Sequence, residues 1–183
     1  HDALVSIGQL RRGDRVLVQA AASGVGIAAL QVARELGASV VLGTAGSSEK
    51  LVELARFGLT YGIDYRSEHI GERVLALTNG EGVDVIIDMV GAGAAAANLQ
   101  AAALGARWVQ VGRMAGSVAQ IDLDLLSKKR LSLIGVTFRT RNIDEFADVV
   151  HGAERDLGPA LSAGRFAMPV TRVFGLDEAD RAQ

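Results

Sequence analysis

The strongest constraint on this chain is an alternation of short apolar runs with stretches of helical spacing, joined by brief connections. Arg15–Ala20 is the first such run, introduced by the turn residues Gly13 and Asp14. Val25, Ile27, Leu30, Val32, Ala33 and Leu36 then mark one broad helix face, closed by Gly37. Ser39–Leu42 reads as a second strand, Lys50–Phe57 as a helix ended by Gly58, Tyr61–Ile63 as a weak strand and Ser67–Leu77 as a helix. Val83–Asp88 is the clearest strand; an alanine-rich helix over 92–103, strands over Ala106–Val111 and Leu131–Phe138, and a long helix from Asp144 to about Gly164 follow. Pro169–Phe174 reads as an extended strand leading into a further helix. Apolar strands between helices imply a parallel sheet covered on both faces. The expected fold class is therefore α/β, a doubly wound six-stranded parallel sheet of the Rossmann type, whose ligands sit at the carboxyl ends of the strands.

Composition narrows the chemistry. The chain has 183 residues, 49% of them hydrophobic, and a formal net charge of −2. That suits one sizeable core, and it leaves no basic footprint for nucleic acid and no polybasic membrane patch. There is no cysteine, which removes disulfides, thiolate metal sites and cysteine nucleophiles and fits a reducing compartment. His1, His69 and His151 are not at metal-ligand spacing. No apolar run approaches the roughly 20 residues of a membrane span, and no signal-peptide layout is present, so a soluble cytoplasmic domain is expected. The chain starts at His1 and stops inside a helix-like stretch, so both ends read as cut.

The first crossover carries the chemistry. Against the G-x-G-x-x-G pattern, Ala21 and Ser23 take the first two glycine places and Gly26 the third. Small residues over Ser23, Gly24, Val25 and Gly26 let backbone approach a pyrophosphate, and the free N–H groups of the helix start point at the anion. An NAD site usually has an acid at the tip of the second strand, about 20 residues past the loop, to hold the ribose 2′-hydroxyl. Here that tip reads Gly43-Thr44-Ala45-Gly46-Ser47-Ser48-Glu49-Lys50. A glycine, hydroxyls and a lysine favour a 2′-phosphate, although Ser47 or Ser48 can equally cap a helix, with Glu49 and Lys50 as surface residues. No Gly-Lys-Ser/Thr loop, no Tyr-x-x-x-Lys pair and no G-x-S-x-G elbow occurs. His69 and His151 read as surface residues, Asp88 as a structural hydrogen-bonding acid, and Lys128-Lys129-Arg130 as the charged end of a short helix.

The ordered set of motifs resembles the medium-chain dehydrogenase/reductase superfamily, and within it the zinc-independent quinone oxidoreductases. The residues that carry the resemblance are the Ala20–Gly26 loop, Thr44–Ser47, Asp64-Tyr65-Arg66, Gly80–Val85, Asp88-Met89-Val90-Gly91, Gly105–Val109 and Lys129–Leu133. The Gly112–Gly116 turn and Thr137–Arg141 look closest to the p53-inducible branch of that family. The resemblance covers nearly the whole chain.

It implies metal-free hydride transfer from NADPH to a quinone or α,β-unsaturated carbonyl. By resemblance, Gly46, Lys50 and Tyr65 surround the 2′-phosphate, Ser23–Gly26 holds the pyrophosphate, and Ser47 also binds the cofactor. Gly91 is among the cofactor-binding residues, and backbone around Gly112, Arg113 and Met114 and around Thr137, Phe138 and Arg139 flanks the nicotinamide. Ser23 departs from the glycine of many members. The barrel-like N-terminal catalytic domain of the family is absent from these residues, so residues 1–183 are expected to be a nicotinamide-dinucleotide-binding domain with no catalytic side chain of its own. The resemblance also implies a homodimer formed through the 131–138 strand. Other readings are an enoyl reductase (free or within a polyketide synthase), the cofactor domain of a zinc-type alcohol dehydrogenase, and a non-catalytic NADPH-binding sensor.

Overall fold

The computed structural model describes residues 1–170 and 172–181. Among these residues, six strands form one sheet in the order β3-β2-β1-β4-β5-β6, every neighbouring pair parallel. The strands are β1 (Arg15–Val18), β2 (Val40–Ala45), β3 (Tyr61–Asp64), β4 (Val83–Asp88), β5 (Ala102–Gln110) and β6 (Ser132–Gly135). The crossovers are α1 (Gly24–Glu35), α2 (Ser48–Leu54), α3 (Ile70–Leu77), α4 (Ala95–Ala101) and α5 (Leu123–Lys128), with α6 (Ile143–Ser162) after β6.

Period-two alternation divides the core. Val16, Val18, Val41, Val85, Ile87 and Val109 face α1, α2 and Leu157 of α6. Leu17, Leu42, Ile63, Ile86 and Trp108 face α3, α4 and α5. Strand residues with both faces covered must be apolar at every position, which explains the continuous runs in the sequence. The chain winds outward from β1 to β3 and returns to β4, so the switch point lies between the carboxyl ends of β1 and β4, where Gln19 N–H donates to the Ile87 carbonyl at 2.9 Å.

Several boundaries differ from expectation. The alanine-rich segment turns as a 3-10 helix over Gly91–Ala94, is α-helical only over Ala95–Ala101, and Ala102 already pairs with Val83. Buried pairing overrides the helix preference of alanine. The expected Leu131–Phe138 strand shrinks to Ser132–Gly135, because its partner β5 ends at Gln110, opposite Gly135. The described part of Pro169–Phe174 forms no strand, and Thr171 lies outside the described residues. The side chain of Gln31 on α1 bonds both the N–H and the C=O of Ala167, which draws this segment onto α1 and away from a sheet edge. Leu176–Arg181 forms 3-10 turns where a helix was expected, and Ala182 and Gln183 lie outside the described residues.

Residues 1–10, silent in the sequence pattern, pack their apolar side chains on the core. Ala3–Ile7 makes a π-helical turn that buries Leu4, and Arg107 Nε donates to the Gly8 carbonyl at 2.9 Å. Lys129 is also more than a solubilising charge: its ammonium donates to the carbonyls of Gln100 and Ala102, at 2.7 and 2.6 Å. Burial lowers its pKa.

Candidate functional site

The loop between β1 and α1 is built from close approaches. A Cβ on Gly26 would lie 2.5 Å from the Ala20 carbonyl oxygen and 2.6 Å from that of Ala21, so only glycine lets α1 start this near the strand. Ala20 takes a left-handed φ of 51°, held by its N–H bond to Thr44 Oγ1 at 3.1 Å. Ser23 caps α1, its hydroxyl accepting from Gly26 N at 3.0 Å. Gly24 and Val25 are exposed at the helix start, where unpaired N–H groups and the helix dipole favour an anion.

Beside this loop lies a cleft of about 260 Å³ lined by Ser23, Thr44, Gly46, Lys50 and Tyr65 among others, none of them acidic. The register Ala45↔Asp64 sets the tips of β2 and β3 side by side. A Cβ on Gly46 would fall 2.6 Å from the Tyr65 hydroxyl, so the phenol lies over bare backbone. Ser47 does not line this cleft. Its hydroxyl caps α2 through Lys50 N and donates to Glu49, which holds the Glu49 carboxyl below the usual range. The helix-cap reading of Ser47 therefore describes its contacts.

A second cavity, of about 410 Å³, shares Ala20, Thr44 and Tyr65 with the first and extends to Gln19, Val90 and Met114. A third, of about 490 Å³, gathers Val25, Arg113, Thr137, Phe138 and Arg139 at the far end of the sheet. Gly112 precedes it, its N–H donating to the Asp88 carbonyl at 3.0 Å. Met114 lines the second cavity rather than the third, and its N–H bonds the Met89 carbonyl at 3.2 Å. His1 and Asp2 also line the third cavity, each already paired, His1 with Asp156 at 2.9 Å and Asp2 with Arg141 at 2.6 Å.

Beneath the clefts runs a buried hydrogen-bond chain that sequence spacing did not reveal. Thr44 Oγ1 donates to Gln19 Oε1 at 2.7 Å, Gln19 Nε2 to Asn98 Oδ1 at 2.7 Å, and Asn98 Nδ2 to Asp88 Oδ2 at 2.9 Å. Asp88 also accepts from the N–H groups of Val90 and Gly91, at 2.7 and 2.9 Å. Its role is structural, as expected. Burial raises its pKa, while these four donors, counting Trp108, pull the other way. Thr44, read as a rim hydroxyl, turns inward. Arg66, absent from the expected site, approaches Gly46: a Cβ there would lie 3.1 Å from its Nε.

The profile of the zinc-binding dehydrogenase family matches residues 24–154. The chain is 33% identical over 178 residues to a quinone oxidoreductase of Pseudomonas aeruginosa, covering 95% of this chain and 53% of that protein. It is 38% identical over 111 residues to a phenolphthiocerol/phthiocerol polyketide synthase of Mycobacterium tuberculosis, covering 61% of this chain and 5% of the synthase. The chain thus spans about half the length of one relative and a small part of the other. The Escherichia coli quinone oxidoreductase solved with NADPH superimposes with a TM-score of 0.79 at 26% identity, over 93% of this chain and 52% of that one. Among the described residues no group of three or more His, Cys, Asp or Glu is placed to hold a metal ion. No helix among them is long and apolar enough to cross a membrane. On profile, relatives and fold together, the chain belongs to the zinc-binding dehydrogenase family, on the zinc-independent quinone oxidoreductase side of the medium-chain dehydrogenase/reductase superfamily.

Proposed function

We propose that these residues form the NADPH-binding unit of an oxidoreductase that passes hydride to a quinone or α,β-unsaturated carbonyl without a metal. The observation that carries this reading is the acid-free cleft at the β2 tip, where Lys50 and Tyr65 border the bare backbone of Gly46. A ribose 2′-hydroxyl wants a carboxylate there; a 2′-phosphate wants donors and a cation. NADPH, when bound, supplies the hydride. The chain's own part is to seat it: the N–H groups at the start of α1 meet the pyrophosphate and Lys50 and Tyr65 meet the 2′-phosphate. The third cavity takes the nicotinamide end beside Thr137 and Phe138.

Hydride transfer also needs a substrate held against the nicotinamide with water excluded and donors near the developing oxyanion. The cavities here are open clefts whose acids are already paired. Residues 1–183 by themselves therefore bind coenzyme and turn over quinone slowly.

The test is calorimetry with NADPH and NADH on the purified chain. Lys50→Ala weakens NADPH by about 1–3 kcal/mol and leaves NADH nearly unchanged. Equal losses for both would sever Lys50 from the phosphate. Fast quinone-dependent NADPH oxidation by residues 1–183 would refute the slow turnover. A second reading, an enoyl-reducing unit of a polyketide synthase, draws on the 38% identity to the mycobacterial synthase. Assays of a polypeptide that joins these residues to a substrate domain, on quinones and on 2-enoyl thioesters, separate the two.

A further inference from the structure

We propose that Arg66 determines coenzyme specificity by donating from its guanidinium to the 2′-phosphate; this rests on the NADPH reading above. Tyr65 and Arg66 leave the end of β3 together, directly beside the end of β2. Both side chains fold over one position, since a Cβ on Gly46 would meet Tyr65 Oη at 2.6 Å and Arg66 Nε at 3.1 Å. A phenol hydroxyl and a guanidinium thus converge on a backbone segment with no side chain; Gly46 and Tyr65 line the cleft together with Lys50, and Arg66 stands just outside that lining.

Arg66 is exposed, and like several other arginines it has no carboxylate within ion-pairing distance of its guanidinium among the described residues. The obvious candidate, Asp64, is engaged otherwise. Its Oδ1 accepts the backbone N–H of Arg66 at 3.0 Å and its Oδ2 accepts the Ser48 hydroxyl at 3.2 Å. Asp64 therefore shapes the turn that presents Arg66 without neutralising its side chain. It also ties α2 to that turn.

A planar guanidinium offers two parallel donors to a phosphate, whereas an ammonium acts as a single point charge. Arg66 accordingly supplies directional contacts that complement Lys50. A bare 2′-hydroxyl gives the guanidinium no charge to meet, so loss of Arg66 affects only the phosphorylated coenzyme.

The test measures binding of NADPH, NADH, 2′,5′-ADP and 5′-AMP to the wild-type chain, Arg66→Ala and Arg66→Lys. Expected is a loss of about 10–100-fold for NADPH and 2′,5′-ADP in R66A, little change for NADH and 5′-AMP, and partial recovery in R66K. Unchanged urea midpoints would accompany this, since the side chain is exposed. A wild-type chain that binds NADH as well as NADPH overturns both this proposal and the reading beneath it. A wild-type chain that prefers NADPH, with an R66A variant that keeps the preference, overturns the role of Arg66 alone.

Discussion

Trp108 donates its indole N–H to Oδ2 of Asp88 across 3.0 Å, setting the chain's single tryptophan against the buried acid at the carboxyl end of β4. The same carboxylate holds Val90, Gly91 and Asn98, and through Asn98 and Gln19 it reaches Thr44.

Removing that carboxylate strands four donors at once. Asp88→Ala should cost about 3 kcal/mol or more, because each unpaired buried donor carries its own desolvation penalty. Urea unfolding followed by Trp108 emission reads both the stability and the loss of the indole's partner. A wild-type midpoint would contradict the buried network.

Gly26→Ala should fail in a different way. The new methyl meets backbone carbonyls of Ala20 and Ala21, which cannot swing aside as a flexible side chain would. A loss of about 1–3 kcal/mol in stability is expected, together with a collapse of affinity for NADPH and NADH alike. Retained binding of either would show that α1 does not need its close start.

Acid stability should depend on the pair between β1 and β4. Burial alone would raise the Asp84 carboxyl, but Arg15, bonding it through its side chain at 3.0 and 3.1 Å and through its backbone N–H at 2.8 Å, holds it below the usual carboxylate range. A group depressed in the folded state stabilises above its ordinary pKa and loses that contribution as pH falls through the folded value. Asp84→Asn should therefore cost about 1–3 kcal/mol at pH 7 and flatten the decline of stability below the ordinary carboxylate pKa. Parallel wild-type and variant curves across that window would be the contrary result. Asp88 has the opposite sign: raised by burial, it favours folding below the ordinary pKa and loses that effect as pH rises through its folded value.

Assembly should follow the free sheet edge. β6 pairs on one side only, with β5, and Leu133 is 46% exposed on it. An open edge of this kind recruits a second copy, so light scattering should find a dimer at high concentration, and Leu133→Lys should shift it toward monomer. A monodisperse wild-type monomer would remove the idea.

Much of the cleft was legible because the residues it needs are adjacent in sequence and recur as motifs. Gly46 and Tyr65 stand just past carboxyl ends of strands, and Ser23 to Gly26 and Lys50 at the start of the helices that follow, where the alternation pattern put them. Arg66 was hidden because nothing in a sequence says which way an exposed arginine turns after a strand. Gln19 and Asn98 were hidden because Gln19 stands 25 positions from Thr44 and 79 from Asn98 along the chain. The length of β6 and the course of the segment after α6 escaped for a related reason: an apolar run becomes a strand only where a neighbour offers ladder bonds.

By itself the sequence determined the alternation of strands and helices, the two-sided core and the small-residue loop, since these follow from periodicity, side-chain size and backbone freedom, which are local properties. Only the tertiary structure decided where strands end, which polar groups satisfy one another inside, and which cations remain unpaired beside Gly46. Those depend on distances between segments far apart in the chain, and such distances exist only once it has folded.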